Sequence, residues 1–263
     1  MFIKKDTYGV GTGRLRKLRV LSAIIVGCCV LFINTAGVAA NGSVHTESEK
    51  KPEPIAEGEV SAALLAEVGT GRVVYEYNSE EKLPAAGLTR LAALVSVCTG
   101  FDEGRLKPGD AVSVSEKAAG IGGTTAFLKA GEQMDAETML LAAVMINAGD
   151  ATHSLALAAA GSESAAVQEI NACMAGIGVE TNFSEICGAG EKLSASELAK
   201  IGAALTASES YRKFGTKFYE KIEHNTGAGA TELANPNKLV KQYSGCIGVG
   251  TGSSTEAGYC GVF

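Results

Sequence analysis

An α+β fold, with an antiparallel sheet flanked by helices and a helical lobe, follows from three features of this 263-residue sequence. Two strand-like runs enclose a glycine-rich turn near residue 70. Four segments between Ala136 and Ala207 carry helical periodicity, and strand-like pieces return between Cys246 and Phe263. Strands, then helices, then strands again is the order of an antiparallel α+β domain.

Before the folded part, the first forty residues set Lys4, Lys5, Arg14, Arg16, Lys17 and Arg19 against Asp6 alone, ahead of an apolar run from Val20 to Phe32. With the small residues Val38-Ala39-Ala40 after it, this is the layout of a secretory signal. The run falls short of the roughly 20 apolar residues of a spanning helix, so a membrane anchor is the alternative for residues 1–40. Ile25-Val26-Gly27-Cys28 also has a faint likeness to a lipoprotein processing site. Residues 41–58 are polar, charged and proline-containing, as in a flexible linker. The folded domain is expected over 59–263.

Within it, Ala62 to Val68 and Arg72 to Tyr77 flank Gly69-Thr70-Gly71, which predicts a β-hairpin. Leu88 to Cys98 is almost wholly apolar and predicts a buried helix, with Gly100 as its stop. Residues 107–132 alternate short β-prone pieces with turns. Ala136–Ile146, Thr152–Ala160, Glu163–Gly176 and Ser194–Ala207 predict the helical lobe. Cys246–Val249 and Ala257–Phe263 predict the closing strands.

Composition narrows the function. Removing residues 1–40 takes six of the 23 basic residues and one of the 29 acidic ones, leaving 17 against 28 and a net charge of −11. Such a surface does not attract nucleic acid or anionic membrane, so contact with a membrane is expected only through the N-terminal segment. Five of the seven cysteines lie beyond residue 40, with no C-x-x-C spacing, and His45, His153 and His224 are scattered. No metal or other cofactor is expected. Isolated buried thiols are the simplest account of the cysteines, and a Cys173–Cys187 bridge is the alternative.

Five segments carry a family resemblance. They are the hairpin A-L-L-A-E-V-G-T-G-R-V-V-Y-E-Y-N, then K-L-P-A-A-G-L-T-R-L, G-G-T-T-A-F-L-K-A-G-E, and the helix end I-N-A-G-D-A. The last and most specific is N-P-N-K-L-V-K-Q-Y-S-G-C-I-G-V-G-T-G-S-S-T-E-A-G-Y-C. In this order they resemble the low-molecular-mass penicillin-binding proteins, serine D-alanyl-D-alanine carboxypeptidases of cell-wall metabolism, from about Ala62 to Phe263. The resemblance implies a penicillin-binding protein or β-lactamase-like fold and an exported protein of the cell envelope. It also implies more sheet and a packing helix beyond Phe263, so the domain reads as incomplete at its C-terminal end.

Members of this family use S-x-x-K, S-x-N and K-T-G. The first serine attacks the peptide carbonyl, a neighbouring lysine or serine takes its proton, and the K-T-G strand holds the substrate carboxylate. Laid on this chain, the first motif becomes Gly87-Leu88-Thr89-Arg90, the second Asn147-Ala148-Gly149 and the third Gly250-Thr251-Gly252. Glycine has no group to acylate, and a guanidinium stays protonated with a pKa above about 12, so Arg90 is no base. The resemblance therefore implies an inactive homologue that binds a peptidoglycan stem peptide or a protein partner of the envelope. Arg90, Thr251 and Gly252 are its candidate ligand contacts. Two alternatives stand beside it: an active carboxypeptidase with a relocated nucleophile, and a non-functional truncated product. The S-x-x-K spacing recurs at Ser48, Ser79 and Ser210, and Thr89 is a further hydroxyl near the first motif.

Overall fold

A computed structural model describes Val60 to Phe263 except Ala189 and Ala228. The expected signal or anchor, the linker, Ser48 and His45 lie outside the described residues. Among those residues no helix is long and apolar enough to cross a membrane.

The chain opens with β1 (Ala63–Ala66), β2 (Val73–Tyr77) and β3 (Leu83–Pro84), followed by a 3-10 turn over Ala86–Thr89 and α1 (Arg90–Asp102). Then come β4 (Ala111–Ser113), α2 (Glu116–Ala119), β5 (Gln133–Asp135), α3 (Ala136–Ile146), α4 (Gly149–Ala160) and α5 (Glu163–Gly176). The rest is β6 (Lys192–Leu193), α6 (Ala195–Ala207), α7 (Glu209–Arg212), β7 (Tyr219–Glu223), β8 (Ala230–Ala234), α8 (Leu239–Gln242), β9 (Gly250–Ser254) and β10 (Gly258–Val262). Every strand pair among the described residues is antiparallel, in two-stranded ladders: β1 with β2, β3 with β6, β4 with β5, β7 with β8, and β9 with β10.

Helix α1 is the axis of the core. It buries Leu91 through Cys98 together with Gly100, and packs against α4, α5, α6 and α7. A segment apolar on all sides is stable only where neighbours cover it all round. Helix α6 in turn packs against β1 and β10, the two ends of the described chain.

Helix boundaries follow local chemistry. Asp135 caps α3 by accepting from the Thr138 N–H, and Ser162 caps α5 through the Ala165 N–H. Ser194 and Glu197 form a reciprocal capping box on α6. Two expected features shift. Gly100 does not stop α1; it lies buried inside the helix, facing Ala159 of α4, where a Cβ would make an ordinary 3.8 Å contact with the Ala159 Cβ. The stop is Gly104, left-handed at φ 75, where the Gly104 and Arg105 N–H groups return to the carbonyls of Phe101 and Gly100. That pair of bonds is a Schellman ending. The strand expected at Cys246–Val249 begins instead at Gly250, because Gly248 at φ 125 breaks the extended run. The β7–β8 hairpin is an addition that periodicity did not indicate.

All five cysteines among the described residues are free thiols, so Cys173 and Cys187 are not bridged.

Candidate functional site

Several pieces of chain converge on the 3-10 turn between β3 and α1. A Cβ built on Gly87 would stand 3.6 Å from Asn147 Nδ2 and 4.0 Å from Arg90 Nη1. Position 87 thus faces Asn147 and Arg90, the two residues that the resemblance lays on the family's second serine and lysine. Asn147 ends α3 in the left-handed region, at φ 55 and ψ 44, which asparagine tolerates better than most residues. Its Nδ2 donates to the Gly87 carbonyl at 2.6 Å, and its Oδ1 is buried without a partner.

Arg90, at the first position of α1, spends its guanidinium on main chain. Nη1 donates to the carbonyls of Thr124 (3.0 Å) and Asn147 (3.3 Å), and Nη2 to that of Gly122 (2.6 Å). The strand β9 reaches the same turn from the sheet. A Cβ on Gly252 would come within 3.2 Å of the Gly87 nitrogen, and one on Gly250 within 3.7 Å of Leu88 and Leu91 methyl groups. Gly250 therefore faces the apolar side of α1, and no cation stands on this strand. Thr251 is half-buried and pairs with Gly261 of β10.

The loop between α2 and β5 forms another wall, and Asp150 holds it. This carboxylate, 1% exposed in the first turn of α4, accepts from the N–H groups of Ala126 (2.9 Å) and Leu128 (3.0 Å). The intervening Phe127 is forced to φ 60 and turned outward, 73% exposed. A bulky residue in that region is strained. The Gly149 N–H adds a bond to the Thr124 carbonyl.

A cleft of about 400 Å³ opens beside the turn, lined by Gly87, Thr89 and Arg90 with Lys117, His153, Glu185 and Cys187. Neither Thr251 nor Gly252 is among its lining residues. Glu163 bridges two of the polar groups, 2.9 Å from Lys117 Nζ and 2.9 Å from His153 Nε2. Burial, helped by the Lys117 charge, holds the His153 ring below its usual pKa against the attraction of Glu163. Burial pushes the Cys187 thiol up to about 11, with the Arg90 charge opposing, so at neutral pH it carries its proton and is a poor nucleophile. Sequence reasoning missed Lys117, His153, Glu185 and Cys187, since no motif or spacing joins them.

The hydroxyls considered as substitute nucleophiles are otherwise engaged. Thr89, 5% exposed, donates to the Cys187 carbonyl at 3.1 Å. Ser79 donates to Glu76, and Ser210 to Asp102 at 2.6 Å. Neither serine lines the cleft.

Comparison with known proteins bears on the family and the fold. Residues 46–263 match the family model described as D-alanyl-D-alanine carboxypeptidase. The chain is 32% identical over 246 residues to D-alanyl-D-alanine carboxypeptidase DacF of Bacillus subtilis (strain 168). That alignment covers 92% of this chain and 61% of the relative. Among solved structures it is similar to the D-alanyl-D-alanine carboxypeptidase DacD of Francisella tularensis, with TM-score 0.69 and 20% identity over 76% of this chain and 61% of that one. It is also similar to a mutant of the Streptomyces K15 DD-transpeptidase, with TM-score 0.66 and 21% identity over 77% and 83%. The solved structures establish the penicillin-binding protein fold, and the family model, which spans most of the chain, establishes kinship. The chain belongs to the D-alanyl-D-alanine carboxypeptidase family.

Proposed function

We propose that this chain is an inactive member of its family, exported to the cell envelope, that holds a peptidoglycan stem peptide or a protein partner without hydrolysing it. One observation carries the proposal. Position 87, facing Asn147 and Arg90 as a nucleophile would, is a glycine. An acyl-enzyme needs an oxygen or sulfur at that point, and a base to take its proton. A guanidinium is not a base at neutral pH, and Gly149 offers no side-chain amide. Loss of the nucleophile alone in a comparable serine hydrolase costs on the order of 10⁶ in turnover. Arg90, Thr251 and Gly252 are the proposed ligand contacts, and the basic, then apolar, N-terminal segment supports export.

The test is release of D-alanine from a stem peptide. The wild type is expected to release none above background at high protein concentration. A variant carrying Gly87→Ser, Arg90→Lys, Asn147→Ser, Gly149→Asn and Gly250→Lys is the comparison, and activity in that variant alone fits the proposal. Release by the wild type, abolished by replacing one particular Ser or Thr, overturns it.

A further inference from the structure

The replacements at positions 90 and 149 lie far apart in sequence and meet in space. A Cβ added to Gly149 would stand 2.7 Å from Ile121 Cγ2, 3.0 Å from Arg90 Cζ and 3.2 Å from Arg90 Nε, so both neighbours would have to give way, Arg90 by a few tenths of an ångström. On Gly123, already left-handed at φ 80, a Cβ would fall 2.9 Å from Arg90 Nη2. The guanidinium thus lies in the space that a side chain at 149 would enter. It is not free to withdraw, because its bonds to the carbonyls of Gly122, Thr124 and Asn147 fix its plane. A planar fork of donors held this way is far more rigid than a lysine chain in the same place.

We propose that Arg90 is a positioning residue that has taken over the volume of the side chain at 149. The changes at 90 and 149 then form one coupled unit, in which the guanidinium ties the 122–124 segment to the turn at Asn147. This deepens the proposed inactivity and rests on the same alignment. Its readout is stability, however, so D-alanine release by the wild type would overturn that reading and leave this test standing.

The coupling predicts a sign reversal. Gly149→Asn alone over-packs the site, and the melting temperature should fall by on the order of 5–10 °C. Arg90→Lys alone should also lower it, since the carbonyl bonds to Gly122, Thr124 and Asn147 are lost. The double variant should melt above Gly149→Asn, recovering at least half of that loss, where independent sites would place it below both. Should Gly149→Asn fail to fold, Gly149→Ala adds the Cβ alone and is compared with and without Arg90→Lys in the same way. Ile121 supplies the control: its Cγ2 would lie 2.7 Å from the added Cβ, but the side chain is half-exposed and has solvent to turn into. Ile121→Ala in the Gly149→Asn background should recover little. Additive losses, a harmless Gly149→Asn, or recovery by Ile121→Ala in place of Arg90→Lys overturns the proposal.

Discussion

Glu197 concentrates several structural roles in one carboxylate. It closes the α6 capping box, accepts from the N–H groups of Glu180 and Thr181 at 3.0 and 2.9 Å, and pairs with Lys82. Burial pushes its pKa up, but the Lys82 ammonium and the Ser194 and Thr181 N–H groups outweigh burial and hold it below the ordinary carboxylate range. A depressed carboxylate contributes stability at pH values above its unfolded pKa, and that stability is lost as pH falls through the folded value. Glu197→Gln should therefore cost about 2 kcal/mol at neutral pH. In urea melts the gap between wild type and variant should close in acid; an equal gap at neutral and strongly acidic pH contradicts the assignment. At this scale the sequence was legible where one residue acts alone. The proposed loss of chemistry rests on the identities of Gly87 and Arg90 alone. The burial of Asp150, and its use to turn Phe127 outward, needed the fold, because its partners lie more than twenty residues upstream.

Elements divide by how local their causes are. The bounds of α3 and α5 coincide with the periodic segments, and α6 starts one residue inside its segment, since each is set by side chains within one turn: Asp135, Ser162, and Ser194 with Glu197. Helix α4 starts earlier than its apolar pattern, at Gly149, because Asp150 places its first turn against the loop at Ala126. The β7–β8 hairpin was illegible for the opposite reason. Among its described residues Ile222 and Leu233 are the only fully buried apolar side chains, and the remaining strand positions are mainly polar. What anchors it is distant in sequence. His224, just after β7, sits 2.8 Å from Glu132 ahead of β5 and 2.8 Å from Thr231 of β8, and both members of the His224–Glu132 pair are buried. Removing one partner of such a pair strands the other. His224→Ala should cost about 3 kcal/mol and raise amide exchange across Tyr219–Ala234 before the helices exchange. A loss under about 1 kcal/mol, with exchange unchanged in the hairpin, would show the pair to be dispensable.

On the scale of the whole molecule, one helix explains why the site exists at all. Helix α1 is buried along most of its length, and its first turn carries Arg90 and adjoins Gly87 where α3, α4 and β9 arrive. The three segments that the resemblance lays on the family's motifs are short in the sequence, and the fold brings residues of all three to that turn. The cleft beside it is a different matter. Lys117, His153, Glu185 and Cys187 come from three separate stretches, and only the packing of α2 and α4 with the 185–187 segment gathers them. Under the proposed alignment, which leaves the scaffold without nucleophile, base or side-chain amide, the chain should be inert toward reagents that acylate the family's serine. The most direct measurement is incubation of the purified full chain with a penicillin-type covalent probe, followed by intact-mass and peptide analysis. The account predicts an unmodified protein, even after long exposure. Stable, stoichiometric labelling at any serine or threonine would contradict it.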